Sequence, residues 1–486
     1  MAETTLELAL VPDAATDLFR RAAIATRARR RAARLSFLGS TDGTLQAQGL
    51  VAIARGGQRG GTLRLVRAMP QDATPWLPGA PMPVLAETPL PAGELSFDAF
   101  AALGLVPHAL VPLPLASLEG REATAVTEQG VTVVLIAGAL RAMLAESAVA
   151  RVTLAGERAA VFALAAALAA DLPLSVPATS LAEEACALAR GEKPLPLRDG
   201  APEIPRDATT AEAFAASVAH LALALVANTP AAFAGETPAG THQSRVALRR
   251  LRSVLSLFEE IAGPEAAPVS AKLKALAGAL GPARDWDVFL EGRLAELVAA
   301  FPGDERLAAL RADAEAARER AYARLRAALG APSFRLLGLS LAALARAPRD
   351  SPEPAREFAA RALNRRLRRV LRHGENLAGL PPPALHALRL DAKRLRYAAE
   401  TFAPLFGDRK VRRFLRALAG LQDALGHLND MAVAAGLLAE LAYDNPNRAF
   451  AIGVVEGWIA AKADGARGEA LAAWERFLGR EVFWKG

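Results

Sequence analysis

Cysteine and aromatic side chains are scarce in this chain. Cys186 is the only cysteine among 486 residues, which excludes an internal disulfide and any cysteine-based metal site. The aromatic fraction is 5%, with three tyrosines, so the sequence offers few of the stacking side chains that binders of single-stranded nucleic acid use. A single unpaired thiol suits a reducing interior, and we expect a cytoplasmic protein.

Long apolar runs and common catalytic motifs are also missing. The most apolar segment, residues 159–170, is too short to span a bilayer and stops at Asp171. The first 20 residues lack the basic start and apolar run of a signal peptide. No phosphate-binding glycine loop, dinucleotide fingerprint or His-Glu-x-x-His motif occurs. The sequence therefore predicts no membrane partner and points to none of these enzyme classes.

Helix formers and basic residues are plentiful instead. Hydrophobic residues, mostly alanine and leucine, make up 52% of the chain, which is typical of a folded and helix-rich protein. The net charge is +7. The first 200 residues are close to neutral, so the positive excess belongs to the C-terminal part.

The pattern of hydrophobic residues divides the chain into three parts. Residues 1–192 contain short segments of strand character, at 4–10, 61–69, 130–138 and 149–156, and a helix at 157–170. Residues 193–208 are rich in proline and mixed charge and read as a linker. Residues 209–480 alternate long Ala/Leu/Arg helices with Pro/Gly breaks. The prediction is an antiparallel α+β domain followed by an all-α domain.

The helical part contains an internal repeat. The pattern His-x2-Arg-x3-Arg-Arg-x-Arg begins at His242 and returns at His386 with lysine in one position, an offset of 144 residues. "LGPARDWDV" (280–288) answers "LGHLNDMAV" (425–433) at an offset of 145 residues. We therefore expect two similar helical bundles, about 209–345 and 353–480, related by a pseudo-two-fold axis.

Positively charged stripes run along several of these helices. At about 100° per residue, the repeated His, Arg and Lys positions fall on one face and the leucines and phenylalanines on the other. A third stripe follows Arg361, Arg365, Arg368 and Arg372. Like charges at this spacing weaken a helix, so a bound polyanion is the preferred explanation over a solvated face.

The chemistry of the stripes favours phosphate. Arginine matches phosphate oxygens with two parallel hydrogen bonds, and histidine adds a further donor. A ligand made only of phosphates needs neither stacking nor base-edge contacts, and linear inorganic polyphosphate fits that description. Nucleic acid is the less favoured polyanion, because no recognised reading motif is present.

The helical part resembles the CHAD family, the conserved-histidine α-helical domain. The matching segments are "HQSRVALRRLRSVLSLF", "LGPARDWDVFL", "LHALRLDAKRLRYAAETFAPLFG" and "LQDALGHLNDMAVA". The resemblance implies two pseudo-symmetric four-helix bundles, a basic groove that binds inorganic polyphosphate, and association with polyphosphate granules in bacteria or archaea. The implied binding residues are His242, Arg245, Arg249, Arg250, Arg252, His386, Arg389, Lys393, Arg394 and Arg396. Arg284, Tyr397 and the third stripe are further candidates.

The N-terminal part is similar to the CYTH, or triphosphate-tunnel, domain, which implies an eight-stranded antiparallel tunnel with metal-binding carboxylates. The supporting segments include "LELALVP" and "TLRLVRA". Of the carboxylates that the family needs, only Glu7 is present, and two expected glutamates fall near Arg151 and Thr153. We therefore predict a degenerate domain with no catalytic or metal-binding residues, in which Arg55 and Arg67 form a residual anion site.

Three functions remain open at this stage. The first is non-catalytic polyphosphate binding without a cofactor. The second is a metal-dependent inorganic triphosphatase, using Mg²⁺ or Mn²⁺, that the helical domain supplies with polyphosphate. Nucleic-acid binding is the third. Asp285, Asp287 and Asp430 are interpreted as partners of arginines or helix caps, with metal binding as the alternative.

Overall fold

The computed structural model describes residues 3–21, 24, 27–57, 60–68, 78–90, 112–143, 145–192, 200–441, 446–463 and 465–485. The chain divides into two compact units. One comprises Met1–Leu197, Ala222–Ala231 and Gly330–Arg346, and the other Arg198–Leu221, Ala232–Leu329 and Ala347–Gly486. Two segments of the helical region thus group with the first unit, which the sequence did not indicate. Part of the predicted linker, 193–199, lies outside the described residues.

The first unit is built on an antiparallel sheet. Its strands are β1 (Thr4–Leu10), β2 (Arg29–Ser40), β3 (Leu50–Gly57), β4 (Gly60–Arg67), β5 (Val84–Leu90), β6 (Pro112–Val126), β7 (Thr132–Ala142), β8 (Ala145–Gly156) and β9 (Leu174–Ser175). The strand order is β5-β4-β3-β2-β6-β7-β8-β1-β9. All four strand segments expected from the sequence are present, and the predicted α+β antiparallel fold is confirmed.

Closure into a tunnel or barrel is not confirmed. The sheet formed by the described strands is open, with β5 and β9 at its two edges. The physical reason is that β9 is only two residues long and pairs with β1 alone. An alternating pattern predicts a strand with one buried face, but it does not report whether the last strand returns to the first.

The core of this unit follows from period-two alternation. In β1, Leu6, Leu8 and Leu10 are buried, and the residues between them are less so. These leucines pack with Val152 and Leu154 of the neighbouring β8 and with the helix α2 (Arg158–Asp171). The Glu157 side chain caps α2 by accepting a hydrogen bond from the Ala160 N–H at 2.9 Å.

The remaining helices are regular and mostly long. They are α1 (Thr44–Ala47), α3 (Leu181–Arg190), α4 (Thr210–Ala227), α5 (Thr229–Ala234), α6 (Pro238–Leu257), α7 (Glu259–Ala262), α8 (Ala266–Val288), α9 (Ala295–Ala300), α10 (Glu305–Gly330), α11 (Pro332–Arg346), α12 (Ala355–Gly374), α13 (Pro382–Phe402), α14 (Asp408–Glu440), α15 (Pro446–Ala463) and α16 (Ala466–Leu478). A π-helical stretch, Phe289–Leu294, joins α8 to α9.

The internal repeat appears in the structure as paired helices. Helices α6 and α13 begin at residues 144 apart, and both start with a proline in the first turn, where its missing N–H costs no hydrogen bond. Phe258 and Phe402, also 144 residues apart, contact each other with ring centroids 5.5 Å apart. Phe214 contacts Phe258 with ring centroids 5.4 Å apart, and its repeat equivalent Phe358 contacts Phe402 at 6.1 Å. These rings form an apolar centre between the two repeats.

A reciprocal backbone contact also links the repeats. Thr209 and Pro354, 145 residues apart, form an isolated antiparallel bridge. The Thr210 N–H donates to the Glu353 carbonyl at 2.8 Å, and the Ala355 N–H donates to the Ala208 carbonyl at 2.9 Å. Each bond is the repeat equivalent of the other, as expected for two segments related by a two-fold axis.

By length and composition, one helical stretch among the described residues, Thr210–Ala234, is apolar enough to cross a membrane. Inside the protein, 72% of its most apolar 18-residue window is buried. A second such span would require counting the pair Glu305–Gly330 and Pro332–Arg346, bent by 57°, as one. Burial of this extent is what the core helix of a globular protein shows.

Candidate anion-binding site

The second unit contains a basic cavity of about 770 Å³. Its wall carries His242 and six cationic side chains, namely Arg245, Arg249, Arg284, Arg293, Arg389 and Lys393. Three carboxylates, of Asp285, Glu296 and Asp423, also line it. The cavity therefore has an excess of positive charge with the histidine neutral.

Repeat-related positions meet in this cavity. Helix α6 supplies Arg245 and Arg249, and α13 supplies Arg389 and Lys393, which occupy the same two positions of the repeat. In each helix these residues are four apart and lie on one face, while leucines such as Leu248 and Leu395 are buried on the other. The sequence repeat thus predicted two pairs of cations that the structure brings together.

The arginines of the cavity are held in different ways. The Arg245 Nη1 donates to the Asp285 carboxylate at 2.8 Å and to the Gly281 carbonyl at 3.0 Å. The Arg249 Nη2 donates to the Tyr397 hydroxyl at 2.8 Å. Asp285 therefore orients an arginine, as interpreted from the sequence, and Tyr397 acts as an acceptor beside the cavity.

Several donors in the cavity have no partner in the described part of the chain. The Nε atoms of Arg249 and Arg389 are buried and form no hydrogen bond there. No described carboxylate lies within ion-pair distance of Arg249, Arg389 or Lys393. Buried donors without acceptors are costly, and these Nε atoms donate to no described group and are chemically suited to an anion.

Burial and mutual repulsion shift the protonation of these groups. Burial first, and then the charges of Arg249, Arg389 and Arg245, lower the pKa of Lys393 to about 7. Burial followed by Arg284, Arg249 and Arg245 lowers the pKa of His242. Burial also lowers the pKa of Arg249. Burial and neighbouring cations thus disfavour the charged forms of these side chains, whereas an anion in the cavity would favour them.

A buried polar network supports the start of α6. Asp287 is buried, accepts from the Arg318 Nε at 2.7 Å and from the Tyr322 hydroxyl at 2.9 Å. The Tyr322 hydroxyl in turn accepts from Thr241, the neighbour of His242, at 3.1 Å. Asp287 is therefore paired with an arginine, as interpreted. Among the described residues no group of three or more His, Cys, Asp or Glu side chains could hold a metal ion; Asp430 is not among the side chains that the structure describes.

Other predicted binding residues of α6 and α13 do not line the cavity. Arg250 donates to Glu400 at 2.5 Å, and Arg396 donates to the same carboxylate at 2.8 Å. Arg252 and His386 are exposed. Arg394 donates to Asp391 at 3.0 Å on another face of α13. The sequence pattern predicts a basic helix face about 100° wide, whereas on α13 only the residues in the middle of that face, Arg389 and Lys393, line the cavity.

The third predicted stripe also lies away from the cavity. Arg361 pairs with Glu353, and Arg365 lies 3.5 Å from Glu260. Arg368 donates to the Asn364 carbonyl at 3.4 Å, and Arg372 is exposed. Arg293, which the sequence reading missed, does line the cavity. It lies in the π-helical stretch, where the wider turn changes which side chains face inward, and 3.6-residue periodicity cannot register that change.

The sheet does not bring the two residues of the predicted residual anion site together. In the pairing of β3 with β4, Arg55 lies opposite Thr62, and Arg67 lies five residues further along β4. An odd separation places the two side chains on opposite faces of the sheet, roughly 17 Å apart along the strand. Arg55 is also paired with the buried Glu122. A single anion cannot contact both arginines.

The described carboxylates of the sheet are neutralised by arginines. Arg151 lies 3.8 Å from Glu7 and 2.5 Å from Glu184. Burial is the main cause that raises the pKa of Glu7. Glu122, a buried carboxylate that the sequence reading did not single out, is paired with Arg31 and Arg55.

Comparison with known proteins identifies part of the helical region. Residues 216–439 match the family model of the CHAD domain. A crystal structure of the CHAD domain from the plant Ricinus communis is similar, with 29% identity, a TM-score of 0.53, and coverage of 60% of this chain and 98% of that one. No curated protein matches the sequence.

Two other solved structures are more distant. PptA from Streptomyces chartreusis has 20% identity and a TM-score of 0.44, covering 55% of this chain and 100% of that one. A putative adenylyl cyclase from Hippeastrum, HpAC1, described as having a dominant triphosphatase activity, has 14% identity and a TM-score of 0.30, covering 40% and 98%. Similarity at this level assigns no role to this chain. The family match and the Ricinus structure agree: residues 216–439 of the helical region match the CHAD domain.

Proposed function

We propose that the basic cavity binds inorganic polyphosphate and that the protein does so without catalysis. The observation that carries this proposal is the set of unpartnered buried donors on Arg249 and Arg389 in a cavity with six cationic side chains. Guanidinium groups bind phosphate oxygens with charge-assisted hydrogen bonds, which are about twice as strong as neutral ones. The CHAD resemblance points to the same ligand, and a granule-associated cytoplasmic protein is the corresponding cellular role.

The aromatic content of the cavity supports polyphosphate over nucleic acid. Phe289 is the one aromatic side chain among the described lining residues, and it is buried at 3% exposure. Bases of a single strand would need exposed rings to stack upon. A phosphate chain needs only donors and positive charge, which the cavity supplies.

The triphosphatase alternative receives little support from the sheet. A metal-dependent hydrolase needs several carboxylates free to hold cations. Glu7 and Glu122 are instead engaged by Arg151, Arg31 and Arg55. Metal-dependent release of phosphate from tripolyphosphate by the intact protein would contradict the non-catalytic part of the proposal.

The decisive experiment measures polyphosphate affinity against salt concentration for the wild type and for Arg249→Ala/Lys393→Ala. Each phosphate contact on a single-stranded polyanion contributes roughly −0.7 to the slope of log affinity on log salt, so the double variant should be shallower by about 1.4. Loss of two charge-assisted contacts should also weaken binding by roughly a hundredfold or more.

Arg252→Ala/Arg396→Ala is the matched control. These residues also occupy equivalent repeat positions on the same two helices, but they do not line the cavity. Their removal should lower the slope only slightly. Equal losses in both double variants would assign binding to the general basic surface, and duplex DNA binding as tightly as polyphosphate at physiological salt would favour the nucleic-acid hypothesis.

A further inference from the structure

A second pocket, of about 450 Å³, lies between the end of α6, the following α7 and the facing helices α12 and α13. Four arginines line it, Arg365, Arg366, Arg369 and Arg394, together with Asp391, Glu259 and Glu260. The basic cavity uses Arg389 and Lys393 of α13, and Asp391 lies roughly opposite them at about 100° per residue. The pocket is therefore on a different face of α13 and shares no lining residue with the cavity.

A buried carboxylate organises this pocket. Asp391 is 4% exposed. It accepts from the Arg369 Nε at 3.2 Å and from the Arg394 Nη1 at 3.0 Å, and the His373 Nδ1 lies 2.6 Å from it. The equivalent position in the first repeat is Ala247, which is fully buried. Packing of this helix pair therefore does not require a carboxylate, and Asp391 serves to hold the surrounding donors in place.

Arg366 is the member of the cluster that the protein leaves unsatisfied. In the part of the chain that the structure describes it has no hydrogen-bond or ion-pair partner. Burial first, and then Arg394, Arg365 and Arg369, lower its pKa to about 10, and Asp391 only partly offsets this. Arg369 and Arg394 share one carboxylate and retain donors for another acceptor. The pocket thus has more positive charge and more donors than its own carboxylates use.

We propose that this pocket is a second anion site, distinct from the basic cavity, that binds a single phosphate group. Its excess of cations over carboxylates is small, which suits one compact anion and not a long charged chain. Arg366 would contact the phosphate directly, and Asp391 would act as a positioning residue through Arg369 and Arg394. The phosphate is either free orthophosphate or the terminal group of a linear polyphosphate. This inference is independent of the proposed function.

The test uses the full chain and labelled orthophosphate in equilibrium dialysis. Arg366→Gln should lower the affinity of one phosphate site at least tenfold, whereas Arg249→Gln, in the basic cavity, should leave that site within twofold of the wild type. Arg368→Gln is the matched control, since it removes an arginine of the same helix that lines neither pocket. Asp391→Asn should also lower the orthophosphate affinity of this pocket. Its effect should be smaller than that of Arg366→Gln, because Asp391 acts only by positioning Arg369 and Arg394.

A second arm distinguishes the two sources of phosphate. Linear tripolyphosphate has terminal groups, and cyclic trimetaphosphate has none. If the pocket takes chain ends, Arg366→Gln should weaken tripolyphosphate and leave trimetaphosphate unchanged; if it takes orthophosphate only, neither will change. Unaltered orthophosphate binding by correctly folded Arg366→Gln would overturn the inference. A wild-type protein that binds orthophosphate at an Arg366-dependent site but binds no long-chain polyphosphate would reject the proposed function and leave the inference standing.

Discussion

At the scale of single residues, Lys393 is the side chain through which the charge of the basic cavity changes with pH near neutrality. Its repeat equivalent is Arg249, and the two lie in the same cavity. Arginine stays charged at all accessible pH values, whereas a buried lysine can lose its proton. With a pKa of about 7, Lys393 is partly neutral at physiological pH when no anion is bound. One of the two equivalent positions is therefore titratable and the other is not.

Polyphosphate affinity should consequently depend on pH above neutrality. A bound anion favours charged Lys393 and raises its pKa, so below pH 7 the residue is charged in both states and contributes no pH dependence. Above pH 7, binding requires uptake of a proton, and affinity should fall by up to about tenfold per pH unit. The measurement is affinity between pH 6 and 9 at constant ionic strength. Lys393→Arg should flatten this range, and an unchanged profile in that variant would exclude Lys393 as the titrating group.

The same residue should oppose folding of the unliganded protein. Because the folded pKa of Lys393 lies below its unfolded value, the unfolded chain binds more protons between about pH 7 and pH 10.4, and stability due to this group rises with pH across that window. Lys393→Met should raise the free energy of unfolding at pH 6.5 by roughly 1–3 kcal/mol, measured by urea titration. A destabilised variant would show that the charge is already compensated.

At the scale of secondary-structure elements, a carboxylate clamp joins three strands of the sheet. Glu122 of β6 is 3% exposed and accepts from Arg31 of β2 at 2.8 Å and from Arg55 of β3. Neither arginine is fully buried. The clamp satisfies the carboxylate and engages Arg55 in an ion pair within the sheet.

Breaking this clamp should cost more than breaking an exposed pair. Arg55→Ala leaves a buried carboxylate with one partner, and we expect a loss of about 1–2 kcal/mol in the free energy of unfolding. The control is Arg64→Ala, which removes an exposed partner of Glu87 on the neighbouring strand pair and should change stability by less than about 0.5 kcal/mol. Chemical unfolding followed by circular dichroism measures both, and equal effects would mean that water already solvates Glu122.

Strands and helices were predictable from the sequence where a local residue pattern of clear periodicity ran through them. The alternation of leucines in β1 and the repeated Arg-x3-Arg/Lys spacing of α6 and α13 gave the correct element and the correct paired cations. Strands β2 and β6 were not anticipated, since arginines in one and prolines in the other obscure the alternation. Arg293 and the cluster around Asp391 depend on a π-helical turn and on contacts between helices. Local periodicity predicts neither a change of helical register, as at Arg293, nor a contact between residues distant in sequence, as around Asp391.

At the scale of the whole molecule, the two repeats share one apolar centre. Phe258 stacks on Phe358 with centroids 5.1 Å apart and contacts Phe402 at 5.5 Å. Phe258 and Phe402 are fully buried. These phenylalanines continue the same two helices that place Arg249 and Lys393 in the cavity, so the apolar centre also fixes the relative position of the two halves of the site.

Truncation at this centre should therefore reduce both stability and binding. Phe258→Ala should lower the free energy of unfolding by about 3–5 kcal/mol, while Phe258→Leu, which keeps most of the volume, should cost roughly 1.5 kcal/mol or less and remain foldable. Polyphosphate affinity should fall in the same order, slightly in Phe258→Leu and more in Phe258→Ala. Phe450→Ala, at an exposed site, is the control. Full affinity in a destabilised Phe258→Leu protein would show that the cavity does not depend on this packing.

The reciprocal hydrogen bonds around Thr209 and Pro354 make the helical repeats equivalent to a homodimer whose subunits have been joined in one polypeptide. In a true homodimer, a single gene sets both sides of the interface, and every substitution occurs twice. Here each side is encoded separately, so one repeat can hold arginine and the other lysine, and one can acquire Asp391 where the other keeps Ala247. Fusion thus allows a symmetric scaffold to carry two basic pockets of different charge, and the residues of each pocket can change while the other pocket stays the same.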